Sequence, residues 1–458
     1  MVPATRLRGE IRVPGDKSIA HRALLANAVA EDRATVLVRA PGADVRSTAR
    51  ALRRSGADIT VFTAGGEHAE GPAGTGSASR DAGLATDSDG DVIRFDVVGT
   101  GTDGELGRLS CGDRIDCGNS GTTIRFLSGL LAASPGQTTT LTGDESLRRR
   151  PMERVAAPLR AMGADVRTEA GHPPLTVAGQ RPLRAVTHEL PVASAQVLGA
   201  ITFAALAADG TTTIDTPGPT RDHTERLLAW MGAPVARDGS VTTVGGPSAL
   251  RARSIDVPGD ISSAAAWLVA ATIHPDAELR LLDVGLNPSR TALIDVLREM
   301  GGRIDVEPQA ADGPEPVGHI TVRTADRLEA VAIHGRRVAQ LIDELPLLAI
   351  AMAAADGTSE VRDAAELRVK ESDRIDLMVR NLAAIGARVE ERPDGWCASR
   401  GRPREAVIET QGDHRIAMAF AVAALTGLSP RITIDDPACV DVSYPTFWSH
   451  VTATGLRP

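Results

Sequence analysis

The sequence is poor in aromatic residues: Trp, Tyr and Phe make up 2% of its 458 residues, and there is a single tyrosine. Proteins that stack nucleobases need aromatic platforms, so this scarcity argues against a nucleic-acid binder. Positive charge is also in deficit, with 50 Lys and Arg against 59 Asp and Glu and a net charge of −9. A polyanion is repelled overall, and a small anion must be held by a local basic cluster against that field. Cysteine is scarce too. Cys111, Cys117, Cys397 and Cys439 form no Cys-x-x-Cys pair and no Cys/His spacing suited to a metal, so free thiols in a reducing compartment are expected. No apolar run is long enough to span a bilayer; the longest, at 345–355, reads as a buried helix. The opening MVPATRLRGEIRVPG lacks a signal-peptide core. A cytoplasmic protein that uses neither membrane nor nucleic acid is the expectation.

What the chain does have is length, glycine and repetition. Its 458 residues allow two or three domains with substantial cores. Small-residue helices followed by a polar turn and a Thr-rich strand recur from about Ser18 and from Ser120, Ser194, Ser262, Leu345 and His414. A second helix type interleaves with these and ends in Leu-x-x-x-Gly, as at Gly56, Gly163, Gly232, Gly301 and Gly386, where glycine is the expected stop. Alternating helical and strand periods predict strand–helix–strand–helix–strand units. Six of them exclude a simple dinucleotide-binding fold and suggest two pseudo-symmetric halves of three units. The stretch 63–107 is rich in Gly, Ala, Ser and Asp and reads as an exposed insertion. The crossing between halves is expected at 245–254, and the N-terminal strand, at 5–13, is expected to pair with the second half.

Polar residues gather where the small-residue helices begin. The first stretch, PGDKSIAHR, delivers Lys17 and Ser18 to a helix expected from about Ser18 to Ala30, with Arg22 one turn in. A helix N-terminus with lysine, arginine and a hydroxyl suits phosphate or carboxylate. The other starts carry Asn119, Ser120, Gly121, Thr122 and Arg125; Ser194 and Gln196; Asp260, Ser262 and Ser263; Asp343 and Glu344; and Asp413, His414 and Arg415. Helix capping accounts for the Ser, Asp and Asn residues, but not for Lys17, Arg22, Arg125, Gln196 and Arg415. GDESLRRRPM adds three arginines before a proline, of which two suit a solvated basic turn. RVKESDRIDLM adds Lys370, Glu371, Asp373 and Arg374, which a surface helix with paired charges would also explain.

The stretches PGDKSIAHR, CGNSGTTIRF, GDESLRRRPM, VASAQV, TRDHTERLL, VPGDISSAA, IDELPLLA, LRVKESDR and GDHRIAMA run in this order from residue 14 to 420. Together they resemble the enolpyruvyl transferases, and within them the branch that uses shikimate 3-phosphate. The resemblance implies an α/β (α+β) inside-out barrel fold of two domains, each of three βαβαββ-type units, with ligands in the cleft between. One domain would be 15–249, containing the 63–107 insertion, and the other 1–14 with 250–458. The implied reaction moves the enolpyruvyl group of phosphoenolpyruvate to the 5-hydroxyl of shikimate 3-phosphate through a tetrahedral adduct and releases phosphate. It belongs to the shikimate pathway of aromatic amino-acid biosynthesis. No metal and no organic cofactor is implied, and a monomer acting on two small molecules is expected.

Carried over motif by motif, Lys17 would contact phosphoenolpyruvate and stabilise developing charge. Ser18, Arg22, Ser194, the Ala195 backbone and Arg221 would hold the phosphate of shikimate 3-phosphate. Gly121 would admit phosphoenolpyruvate close to the backbone, with Arg150, Gln196, Arg374 and Arg415 around it, Gln196 serving both substrates. Asp343 would be the base on the attacking hydroxyl, with Lys370 at the ring hydroxyls or at Asp343, and Glu371 would move the proton of the methylene. A carboxylate among so many cations suits proton abstraction. Gly121 leaves room that an alanine would fill, so the herbicide glyphosate is expected to compete with phosphoenolpyruvate.

Several positions depart from the pattern. The lysine that one branch carries before a C-terminal Thr-Phe-Pro is absent here, where Val442, Ser443, Tyr444 and Pro445 stand, and Ala20 replaces a usual serine. The sister enzymes that use UDP-N-acetylglucosamine place Asn after the first lysine and Cys or Asp on a mobile loop; here Ser18 follows Lys17. A non-catalytic anion-binding scaffold would not need both Asp343 and Glu371. An RNA-end-processing enzyme on related repeats would be more basic and more aromatic.

Overall fold

The computed structural model describes residues 1–63, 92–110 and 114–454. The chain folds as two compact units. One comprises Gly15–Val257 with Asp312–Glu315; the other comprises Met1–Pro14, Pro258–Ala311 and Pro316–Pro458. Each has its own apolar core.

In the unit built on Gly15–Val257, three long helices are buried on nearly all sides: Lys17–Ala28, Gly121–Ala132 and Ala195–Ala205. Small residues make this possible. A Cβ on Gly129 would lie 2.2 Å from the carbonyl oxygen of Ala200, so the second and third helices approach at backbone distance. Phe126 fills the space beside them, edge-on to Phe203 at 5.7 Å. Other helices, Ala43–Arg54, Glu153–Ala161 and His223–Trp230, bury one face only.

The sheets repeat one topology. The first orders its strands Ile255–Asp256, Arg33–Arg39, Val92–Val98, Asp58–Phe62; the leading pair is parallel and the others antiparallel. Arg114–Asp116, Thr138–Thr142, His172–Ala178 and Asp165–Glu169 repeat it. So do Thr187–Glu189, Ala208–Asp215, Val241–Gly246 and Val235–Asp238, with Leu183–Arg184 added beside Ala208–Asp215. Residues 250–257 stay with this unit because Ile255–Asp256 pair with Val36 and Leu37.

The other unit is built alike around Ile261–Ile273, Leu345–Ala354 and His414–Leu425, helices buried on almost every face. Leu7–Ile11 runs parallel to Ala277–Gly285, followed by Val317–Arg323 and Arg303–Gln309. Ala332–Ile333, Thr358–Val361, Gly395–Ser399 and Arg388–Arg392 form the next sheet. The sixth repeat is abbreviated to two parallel strands, Ala406–Ile408 and Ile432–Ile434, and closes with the helix Phe447–Ala453. The five Leu-x-x-x-Gly glycines all end their helices with φ between +84° and +106°, a conformation that glycine adopts without steric cost.

Two sequence expectations need correction. The first helix begins at Lys17, one residue before the expected start, and its cap is Asp16, whose carboxylate accepts from the Ile19 amide at 3.0 Å. The 63–107 stretch is not insertion throughout. Val92–Val98 is an inner strand whose alternate residues Ile93, Phe95 and Val97 enter the core. That alternation was hidden by the polar tract before it. Residues 64–91 and Cys111 lie outside the described residues.

Candidate active site

In the unit built on Gly15–Val257, the start of the first helix places its charges in different settings. Asp16 caps the helix and turns it at Lys17. Lys17 Nζ reaches Asp44 at 3.3 Å, with 27% of the lysine side chain exposed. Arg22 is 3% exposed. Its Nε donates to Thr224 Oγ1 at 2.7 Å, an Nη donates to the Ser18 carbonyl at 2.8 Å, and the guanidinium lies 4.6 Å from the centre of the Phe126 ring. Burial lowers the Arg22 pKa to about 10, with Glu225 and Asp16 opposing the drop and Arg221 adding to it. Arg22 therefore keeps its charge at neutral pH, and Arg221 shares its electrostatic surroundings.

The second helix start carries the other arginines. The Ser120 side chain accepts from the Thr123 amide, and Gly121 is the first helical residue. Arg150 donates to Asn119 Oδ1 at 2.8 Å, and Asn119 in turn donates to Asp144 at 2.6 Å. Arg125 bonds both Gln196 and the Gly121 carbonyl, and Gln196 donates to Thr122 Oγ1 at 2.9 Å. A Cβ on Gly121 would stand 2.7 Å from an Arg125 Nη and 3.1 Å from an Arg150 Nη. The space beside Gly121 is thus lined by two guanidinium ends. Arg125 links Gly121 to Gln196, and Arg150, held by Asn119, stands on the other side of Gly121. Arg149 pairs instead with Glu145 at the surface. Ser194 caps the third helix through the Val197 amide, with Ala195 as its first residue.

The other unit gathers the remaining candidates around one guanidinium. Arg374 is 1% exposed. Its Nε donates to Asp413 Oδ2 at 2.8 Å, one Nη donates to Glu371 Oε2 at 2.7 Å, and the other lies 3.7 Å from Asp343 Oδ1. Burial by itself would lower the Arg374 pKa; Asp413, Glu371 and Asp343 outweigh it and hold the guanidinium above its ordinary value. Arg415 donates to the Asp343 carbonyl at 2.7 Å and sets an Nη 3.9 Å from the Asp343 carboxylate. Burial lowers the Lys370 pKa against the pull of Asp343 and Glu366, the latter 3.9 Å away. Asp343, Lys370, Glu371, Arg374 and Arg415 thus form one electrostatic cluster.

Asp413 was read in the sequence only as a helix cap. It does cap, accepting from the Arg415 amide at 2.9 Å, and it also accepts from Arg374 and from Ser372 Oγ at 2.9 Å. Burial opposes its ionisation, yet Arg374 and His414 hold its pKa below the ordinary aspartate value. An aspartate cap two residues before an arginine was the available signal. Asp44 left no comparable trace, and Asn119 and Thr224 were read only as parts of their motifs. At the C-terminus, Tyr444 turns into the core, where its hydroxyl accepts from Trp267 Nε1 at 2.9 Å. Among the described residues no cluster of three or more His, Cys, Asp or Glu suits a metal, and no helix is long and apolar enough to cross a membrane.

Known proteins match this chain over nearly all of its length. Residues 1–88 and 86–451 match the family described as EPSP synthase (3-phosphoshikimate 1-carboxyvinyltransferase). A 3-phosphoshikimate 1-carboxyvinyltransferase of Gloeobacter violaceus is 47% identical over 455 residues, covering 98% of this chain and 97% of its own. One of Roseiflexus castenholzii is 45% identical, with the same coverage of each. The solved EPSP synthase of Acinetobacter baumannii superposes with a TM-score of 0.81 at 35% identity, over 100% of this chain and 98% of that one. Two repeat-built units, arginines packed about a helix-start glycine and a carboxylate-ringed buried arginine accompany a full-length match, and the chain belongs to the EPSP synthase (3-phosphoshikimate 1-carboxyvinyltransferase) family of transferases.

Proposed function

We propose that Asp343 takes the proton of the 5-hydroxyl of shikimate 3-phosphate while Glu371 moves the proton of the phosphoenolpyruvate methylene, in the enolpyruvyl transfer of the shikimate pathway. The hydroxyl oxygen bonds to the enol carbon as the methylene becomes a methyl group. The resulting tetrahedral adduct then loses phosphate, and the methyl group returns a proton to restore the double bond. Lys17, Gly121, Arg150, Gln196, Arg374 and Arg415 serve phosphoenolpyruvate, and Ser18, Arg22, Ser194, Ala195, Gln196, Arg221 and Lys370 serve shikimate 3-phosphate. The reading needs only side chains and two anionic substrates, and arginine suits both carboxylate and phosphate.

The observation that carries this reading is the placement of Asp343 and Glu371 on either side of Arg374, 3.7 Å and 2.7 Å from its terminal nitrogens. Two carboxylates fixed about one cation supply a base and a proton shuttle beside a carboxylate-binding group. The protein acts in this reading as a cytoplasmic monomer; light scattering of the purified chain checks the monomer, and cell fractionation the compartment.

The test is phosphate release from phosphoenolpyruvate with shikimate 3-phosphate, with UDP-N-acetylglucosamine and with no acceptor. Release with shikimate 3-phosphate alone, lost in Asp343→Asn, is the expected result. Release with the UDP-sugar instead would assign a different acceptor. Full activity in Asp343→Asn would remove the base from its role.

A further inference from the structure

Asp343 is followed directly by a second carboxylate that points elsewhere. Glu344 is fully buried and immediately precedes the helix Leu345–Ala354, yet its side chain makes no cap for that helix. It accepts from Ser262 Oγ and lies 3.8 Å from Arg290. Arg290, 2% exposed, donates to the same Ser262 Oγ at 2.5 Å and reaches Asp260 at 3.5 Å. Asp260 caps the helix Ile261–Ile273 through the Ser262 amide at 2.8 Å. A buried Arg–Ser–Glu linkage therefore joins two helix starts, and its Glu344 end is covalently continuous with Asp343.

We propose that Arg290, acting through Glu344 and Ser262, is a positioning residue for Asp343, an inference that rests on the assignment of Asp343 as the base. The turn at Asp343 is held at two points. Arg415 binds the Asp343 carbonyl at 2.7 Å, and Glu344 is drawn into the core by Arg290 and Ser262. With both anchors in place the peptide between them cannot rotate, and the Asp343 carboxylate is directed at Arg374 and Arg415. A general base must meet its proton within hydrogen-bond reach, and a displacement of about 1 Å costs up to about a hundredfold in rate. Burying an ion pair is a weak source of stability compared with apolar residues of like volume, which leaves the pair's geometric effect as its consequence.

The experiment uses the full chain and three variants. Arg290→Met/Glu344→Met removes both charges of the pair together and leaves Asp260 held by the Ser262 amide it caps. Glu344→Asp keeps the charge for Arg290 but shortens the anchor by one methylene. Asp343→Asn removes the base itself. The expected result is that the double variant and Glu344→Asp each lower kcat by ten- to a hundredfold, while KM for both substrates stays within about threefold and the thermal midpoint stays near that of the parent. A purely structural role would move the midpoint and leave kcat intact at a temperature where the protein is folded. Parent-like kcat in Glu344→Asp, or in a folded double variant, overturns the proposal while Asp343→Asn remains inactive. Full activity in Asp343→Asn would instead overturn the assignment of the base on which the proposal rests.

Discussion

Arg374 Nε donates to Asp413 Oδ2 at 2.8 Å, and the two side chains are 1% and 0% exposed. Neither charge has water to return to if the other is removed. Asp413→Ala is expected to cost about 1–3 kcal/mol, because Arg374 keeps Glu371 and Asp343 but loses its buried hydrogen bonds to Asp413, and the helix at His414 loses its cap. Because Arg374 also holds Glu371, the same change should raise KM for phosphoenolpyruvate more than KM for shikimate 3-phosphate. Urea unfolding and steady-state kinetics measure the two effects separately.

Gly121 controls how closely anything can approach two guanidinium ends. Glyphosate is expected to inhibit competitively with phosphoenolpyruvate. In Gly121→Ala the new methyl group meets Arg125 at 2.7 Å and Arg150 at 3.1 Å, so both side-chain ends must move. Resistance to glyphosate should rise at least tenfold, with a several-fold rise in KM for phosphoenolpyruvate. Inhibition constants for both proteins decide the matter, and non-competitive inhibition of the parent would refute the shared site.

His21 makes stability depend on pH. The ring is fully buried, its Nδ1 lies 2.6 Å from Thr48 Oγ1, and burial lowers its pKa to about 3 from the ordinary 6.5. The folded state therefore leaves the ring neutral where the unfolded chain protonates it. The resulting stability is fully present above pH 6.5 and is lost progressively as pH falls from 6.5 towards 3. The slope approaches about 1.4 kcal/mol per pH unit for one proton. His21→Asn should flatten the dependence of the urea midpoint between about pH 4 and 6. An unchanged slope would contradict the assignment.

Gly129 tests the helix packing. A methyl group there would stand 2.2 Å from the Ala200 carbonyl oxygen, and backbone on both sides leaves little freedom to relax. Gly129→Ala should destabilise by about 1–3 kcal/mol despite its gain in helix propensity. Thermal unfolding measures this directly, and a raised midpoint would show that the two helices separate easily.

The repeat of buried helix and Thr-rich strand was legible because it is written in local pattern: small residues in runs, glycine at fixed offsets, alternation in strands. Val92–Val98 escaped because its alternation follows a polar tract that dominates any window containing both. That Lys370, Glu371 and Arg374 belong together was legible by motif, and the structure gathers them with Asp343. The partners of the charged residues were not legible, because an ion pair between Arg374 and Asp413, or between Lys17 and Asp44, joins residues that no local period relates. The cap at Asp16 was missed for a smaller reason: Ser18 is an equally plausible cap, and only backbone geometry separates them.

The strand Leu7–Ile11 pairs with Ala277–Gly285. During synthesis it leaves the ribosome well before the partner it needs. The helices and strands that follow it belong to the other unit, whose first sheet gains its leading strand only with Ile255–Asp256. This segment is thus made early and seated late. An N-terminal truncation or a bulky fusion close to residue 7 should therefore leave early folding untouched and delay completion of the later unit, a loss visible only after most of the chain has been translated.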